Sequence, residues 1–204
     1  MANLIFKDIL IQKKMIVLYI ATIILYLLIN VSLVKIGFLY SLAIITMSFS
    51  YDEKDNANIL LNSLPYTRKQ IVSSRYIGSL IYTSLIILIT YLGNFLLNGK
   101  ETLVLLKDIV IIIGLVMVAI SFILPICYKF KTQALMIASG TLFGIYLVTI
   151  KYLFPSFNDT LRELIQKFLT LQETQMYFVA IFTIIILYVG SWLLSIRIYA
   201  KKVF

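Results

Sequence analysis

Ile77-Gly-Ser-Leu-Ile-Tyr-Thr-Ser-Leu-Ile-Ile-Leu-Ile-Thr-Tyr-Leu-Gly-Asn-Phe-Leu-Leu97 is a run of 21 residues without a charge. Coiled as a helix it is about 31 Å long, which is the thickness of a bilayer's hydrocarbon core. Outward from it, five more charge-free runs occupy residues 15–34, 36–50, 109–128, 134–150 and 176–196. Lys35 alone separates the first two, so they are expected either as two spans joined by a very tight turn or as one bent hairpin that partly re-enters the membrane. The first run is too long for a signal-peptide core and no small-residue cleavage site follows it, so it is expected to stay in the mature chain. The chain has 204 residues, 61% hydrophobic and only 13% charged, against about 25% charged in soluble domains. The expectation is an all-α integral membrane protein of six transmembrane helices, forming one domain over residues 1–204.

Twelve of the 18 Lys and Arg fall on the N-terminus, the 51–76 and 129–133 loops and the C-terminus, and six on the other face. Positive charge accumulates on the cytoplasmic side, so a multi-pass protein with both termini in the cytoplasm is expected. The net charge of +9 is then a topology signal and an attraction to anionic lipid, and no nucleic-acid partner is read from it.

The chain has no His and one cysteine, Cys127, which excludes an internal disulfide, a Cys/His zinc site and imidazole catalysis. The six runs also lack Asp, Glu, Lys and Arg, the groups that carry coupling charge in ion-driven transporters. Asn30, Asn94, Ser48, Ser84, Thr83, Thr90, Thr141 and Ser191 read as hydrogen-bonding glue between helices. Work against a gradient must therefore be powered from outside the chain. Gly93-Asn-Phe-Leu-Leu-Asn-Gly99-Lys100-Glu101-Thr102 is not a phosphate loop: five residues separate its glycines where four are needed, and Glu follows the Lys.

One extended polar segment remains on the inner face, Tyr51-Asp-Glu-Lys-Asp-Asn-Ala-Asn-Ile-Leu-Leu-Asn-Ser-Leu-Pro65-Tyr-Thr-Arg-Lys-Gln-Ile71. Asp52 is placed to cap a helix whose first turn carries Glu53 and Asp55, where negative charge suits the exposed amides. Ala57, Leu60, Leu61 and Leu64 recur at i, i+3, i+4 and i+7, an apolar stripe about three turns long. Pro65 ends that helix. Thr67 with Gln70 is a capping box that starts a second helix running into the next span. The stripe can rest on the lipid surface or in a protein partner; the acidic start opposes an anionic leaflet and favours the partner.

At these residues the sequence resembles the permease subunits of ATP-binding-cassette exporters of the second class, in particular their small six-span bacterial subfamily. The resemblance is carried by Asp52-Glu53, Ser63-Leu64-Pro65, Arg68-Lys69-Gln70-Ile71-Val72 and Arg75-Tyr76. It implies a coupling helix over residues 52–64 seated in a groove of a separate ATPase, with Asp52, Glu53, Ala57, Leu60, Leu61, Ser63, Leu64, Pro65 and Arg68 as the coupling surface. It also implies an interfacial helix over residues 1–14, with Leu4, Ile5, Ile9 and Ile11 apolar and Lys7, Asp8, Lys13 and Lys14 polar. Catalytic residues, ATP and magnesium belong to the partner ATPase in that family, so none is expected here. A second copy or a related permease and a bacterial cytoplasmic membrane complete what the resemblance implies.

Gly140 and Gly144, four apart in the run 134–150, let two helices approach closely, either within the subunit or at a dimer contact. In the outer loop 151–175, Leu161, Leu164, Ile165, Phe168 and Leu169 share a helical face, expected as an amphipathic helix at the outer interface; the family resemblance implies an outer gate made of such helices. Two functions follow. The first is a permease subunit of an ATP-driven exporter with an amphipathic peptide or lipid-like cargo. The second is a non-transporting immunity or sensor protein that binds amphipathic peptides at the outer face.

Overall fold

The computed structural model describes residues 2–54, 66–98, 106–130 and 173–201. Within them the chain forms α1 (Ala2–Ile11), α2 (Lys13–Leu28), α3 (Leu33–Lys54), α4 (Arg68–Asn98), α5 (Leu106–Lys129) and α6 (Glu173–Lys201), and no strand occurs among the described residues. Helices α3 to α6 are each long and apolar enough to cross a membrane, and the bent pair α1–α2 passes the same test as one broken span. Five of the six apolar runs are thus helical; the run 134–150 lies outside the described residues. Helices α3 to α6 extend past the charge-free runs at both ends, because backbone hydrogen bonding does not stop where the first charged side chain appears. Helix α4, for instance, begins nine residues before Ile77.

The junction between the first two spans differs from the expected break at Lys35. Helix α2 ends at Leu28, and Lys35 sits exposed in the first turn of α3. The reversal is made by Asn30, whose φ of 58° is left-handed. Its N–H donates to the Leu27 carbonyl at 3.0 Å, and that of Val31 to the Tyr26 carbonyl at 3.1 Å. Those two bonds form a Schellman cap, in which Asn takes the place usually held by Gly because its short polar side chain tolerates that conformation. Asn30 therefore ends a helix and does not glue two together.

The other bend, 68° between α1 and α2, carries no proline. At its apex Gln12 is 1% exposed and donates from Nε2 to the Ile44 carbonyl at 3.2 Å, tying the knee to α3. The first helix ends at Ile11, short of the Lys14 limit expected from its polarity. Asp8 also departs from the polar face assigned to it: it is 5% exposed and turned toward the bundle. Leu4 is buried beside it, and the Tyr82 hydroxyl donates to the Ile5 carbonyl at 2.9 Å, holding α1 against α4.

In the bundle, α5 packs against α6 and α3, and α4 against α3 and α6. Ile45 and Phe49 of α3, Val72 and Tyr76 of α4, Val116, Ile120 and Leu124 of α5 and Tyr199 of α6 form the main core. Ile23 and Leu27 of α2 make a second cluster with Ile36 and Ile86. The outward faces are as apolar as the core: Leu96 is 80% exposed and Phe178 73%. Soluble proteins avoid apolar patches of that extent, whereas a lipid-facing surface requires them.

Pro125 interrupts α5 and has a specific consequence. Without an N–H it cannot donate to the carbonyl four residues back, that of Ser121. Ser191 of α6 donates to that carbonyl instead, at 2.7 Å. The proline thus creates an acceptor on the face of α5, and a serine on the neighbouring helix satisfies it. Expected outcome: Ser191→Ala lowers stability by about 1–2 kcal/mol by stranding a buried acceptor. In a Pro125→Ala background the cost falls by about half, because the new N–H takes the Ser121 carbonyl. A double-mutant cycle on melting in detergent measures the coupling, and two additive losses would refute it.

Candidate functional site

At the end of the bundle where α3 stops and α4 starts, four charged side chains meet. Arg75 lies about two turns into α4, and its side chain is 9% exposed. Its Nη1 donates to Asp8 Oδ2 of α1 at 2.7 Å and also to Ser48 Oγ, while Nη2 donates to Asp52 Oδ2. Lys7 Nζ lies 2.8 Å from Asp52 Oδ1 and 3.4 Å from Asp8 Oδ1. Two cations and two carboxylates therefore balance. Burial, and next the nearby Arg75 charge, pull the Lys7 ammonium below the usual lysine value, against the opposing pull of Asp8.

The surroundings of Arg75 are aromatic. Its guanidinium stands 5.0 Å from the centroid of Phe49, Phe49 meets Tyr128 edge to face at 5.2 Å, and Tyr128 meets Tyr199 at 5.3 Å. A planar fork suits this setting better than an ammonium would, because it bridges two carboxylates and stacks on a ring at once. Both carboxylates face the cation in a low-dielectric wall, where an unpaired charge is costly.

The cluster brackets the 55–65 segment. Asp52 holds the end of α3 on one side of residues 55–65, and Thr67 stands on the other. There the expected capping box is formed reciprocally: the Thr67 N–H donates to Gln70 Oε1 at 2.9 Å, and the Gln70 N–H to Thr67 Oγ1 at 3.2 Å. One residue later Arg68 donates from Nη1 to the carbonyls of Tyr199 and Ala200, at the end of α6. A cation at a helix C-terminus satisfies orphan carbonyls and the dipole together. Both ends of the segment are thus fastened to the bundle.

A hydroxyl seam continues inward from this end. The Tyr76 hydroxyl lies 2.7 Å from Ser191 Oγ and 2.8 Å from Ser195 Oγ, and the Tyr188 hydroxyl donates to the Tyr76 carbonyl at 2.7 Å. Trp192 Nε1 donates to Ser73 Oγ at 3.1 Å. The seam joins α4 to α6 and, through Ser191, to α5.

Among the anticipated coupling residues, Asp52 and Arg68 lie in this assembly. Asp52 does not begin a separate helix: α3 is continuous through Lys54, so the carboxylate sits in the last turn of a span and is spent on Arg75 and Lys7. Glu53 belongs to the same helix. Ala57, Leu60, Leu61, Ser63, Leu64 and Pro65 lie outside the described residues, as do Gly140 and Gly144 and Leu161, Leu164, Ile165 and Phe168. Of the anticipated glue, Ser48 and Ser191 bond across helices, whereas Thr83, Ser84 and Thr90 donate to carbonyls four residues back in their own helix. Asp8 and Arg75 were missed as partners because each lies outside the charge-free runs. The available signal was that Asp52 and Arg75 flank one loop with opposite sign, where antiparallel helices bring them level.

Residues 3–200 match the model of a family described as ABC-2 family transporter protein. No curated protein and no solved structure matches the chain.

Replacing Arg75 by Gln leaves two buried carboxylates to share one cation, Lys7, and is expected to cost about 3–5 kcal/mol. Arg75→Lys keeps the charge without the fork and should lie between. Adding Asp8→Asn to Arg75→Gln leaves Lys7 balanced against Asp52 and should recover much of the loss. Melting of the detergent-solubilised chain reads all three, and an unchanged Arg75→Gln protein would show that the cluster carries no structural weight.

Proposed function

The chain belongs to the ABC-2 transporter family, whose members are membrane components of transport systems, and from that premise we propose that it couples to a separate ATPase through residues 52–64. The single observation behind this reading is that both ends of the 55–65 segment are anchored in the bundle. Asp52 is bonded to Arg75 and Lys7 on one side, and Arg68 to the end of α6 on the other. A segment tethered at one end would dissipate a push in its own bending. One tethered at both transmits it.

The mechanism is mechanical. The ATPase grips the apolar stripe Ala57, Leu60, Leu61 and Leu64 and shifts it when ATP binds; ATP and magnesium stay in that partner. The displacement reaches Asp52 and Arg68 first. Through Arg75 it carries α1, through the Arg68 bonds α6, and directly the start of α4. Helix α4 has 31 residues without a break, about 46 Å of rigid rod, so motion at one surface is delivered to the other. Two permease copies or related chains, meeting through the Gly140 and Gly144 face, enclose a path for an amphipathic peptide or lipid-like molecule. The 161–168 face gates its outer end. In this reading the direction is outward and both termini are cytoplasmic, with α1 lying along the inner surface.

The test is co-purification with the candidate ATPase. Replacing Leu60, Leu61 and Leu64 together by Asp is expected to abolish the complex and to cut ATP turnover in the assembled pair at least about tenfold, since each buried charge opposes association by more than 1.4 kcal/mol. The variant alone should remain monodisperse with the melting temperature of the parent. A complex that survives the triple change would overturn the coupling assignment.

A further inference from the structure

Near the turn between α2 and α3, and independent of how transport is driven, a groove of about 390 Å³ opens on the lipid-facing side. Lys35, Ile36, Leu39, Tyr40 and Ala43 of α3 line it, joined by Tyr26 of α2 and Val31 of the turn. The volume lies within the roughly 300–1,000 Å³ range of sites that hold small molecules. Its walls are pre-set: Tyr40 meets Tyr19 edge to face at 5.7 Å and Tyr26 at 6.4 Å, so the ring is held from two sides. The floor is firm too, because Ile36 is 2% exposed in the α2–α4 cluster.

Polarity in this groove is graded along the membrane normal. Lys35 lies in the first turn of α3, beside the Asn30 reversal and therefore at a membrane surface. From Lys35 the groove descends α3 to Ala43, eight residues or about 12 Å deeper, close to the roughly 15 Å of one leaflet's hydrocarbon. Residues 9–51 contain no Asp or Glu, and among the described residues Lys35 forms no ion pair. Among the described residues, a cation without an ion pair thus stands over an apolar trough one leaflet deep.

We propose that this groove holds an anionic phospholipid, with its phosphate at Lys35 and an acyl chain laid along Leu39 and Tyr40 toward Ala43. Charge complementarity selects the headgroup. A neutral or cationic amphiphile would leave the ammonium unanswered at the hydrocarbon edge, while a second protein helix would have to bring its own carboxylate to the same point.

The experiment places one indole in the groove. Leu39 is 62% exposed, so Leu39→Trp is accommodated, and Trp192→Phe removes the chain's one native indole. The purified full chain is reconstituted in phosphatidylcholine vesicles with rising fractions of brominated phosphatidylglycerol or brominated phosphatidylcholine, and quenching is followed. Half-quenching is expected at an about fivefold lower fraction of the anionic lipid, the preference that one Lys at a lipid surface provides. Lys35→Gln should abolish the preference and Lys35→Arg should keep it. Equal quenching by both lipids, a preference that survives Lys35→Gln, or no quenching by either lipid would each overturn the proposal, the last by showing that protein fills the groove. Should Leu39→Trp fail to fold, native mass spectrometry of the parent and of Lys35→Gln from mixed micelles reads the same preference: an excess of retained phosphatidylglycerol over phosphatidylcholine in the parent alone supports it, and equal retention refutes it.

Discussion

A guanidinium held between two buried carboxylates governs the architecture of this chain's loop-bearing end. Arg75 reaches Asp8 of α1 and Asp52 of α3 at once, with Ser48 filling a further bond and Phe49 beneath the cation. A buried ion pair adds little stability over a well-packed apolar replacement, but breaking it is expensive and its geometry is demanding. Its value here is register. Apolar helices slide past one another at small cost, because a neighbouring methyl serves almost as well as the right one. A bidentate fork between three helices has one arrangement.

The same end carries a second fastening of different chemistry. Pro125 removes an N–H and exposes the Ser121 carbonyl; Ser191 answers it and also lies within hydrogen-bond reach of Tyr76. Hydrogen bonds buried among apolar groups are directional and costly to leave unmade. Helices α4, α5 and α6 are thereby locked near their loop-side ends, and Arg68 closes the ring by capping α6. Among the described residues the opposite end holds an apolar cluster. Its helices meet through side chains such as Ile23, Leu27, Ile36 and Ile86, which are satisfied by any close packing.

Much of this was legible in the sequence, and the parts that were not share a cause. Helix existence follows from charge-free length, and the Thr67–Gln70 box is a local rule that operates within one turn, so both could be read directly. The position of the α2–α3 turn was misread because hydropathy registers Lys35, which is solvated at a helix start. The reversal is decided by the backbone of Asn30, an uncharged residue that hydropathy scarcely registers. Asp8 was assigned to a polar face for the same reason: its character was judged by type, while its partner, Arg75, is 67 residues away. The Ser and Thr residues divide similarly. Thr83, Ser84 and Thr90 find a carbonyl one turn back, whereas Ser48, Ser73, Ser191 and Ser195 meet a partner on a neighbouring helix: an arginine, an indole, a carbonyl exposed by proline or a phenol.

This unequal fastening bears on how force would pass through the bundle. Were both ends locked by directional bonds, a displacement at one surface could only tilt the whole bundle or break it. Were neither locked, it would be absorbed by local sliding. With one end clamped and the described residues of the other packed through apolar side chains, the proposed coupling would move the clamped ends together as a base while the far ends of the spans shift and repack at low cost. Rotation about that base converts a small movement at the loop into a larger one across the membrane, in proportion to helix length. Helix α4 is the longest described, and it begins within the clamp. The charge-free runs hold no Asp, Glu, Lys or Arg to move, so in the proposed coupling such a lever is the means by which an external push would open a path.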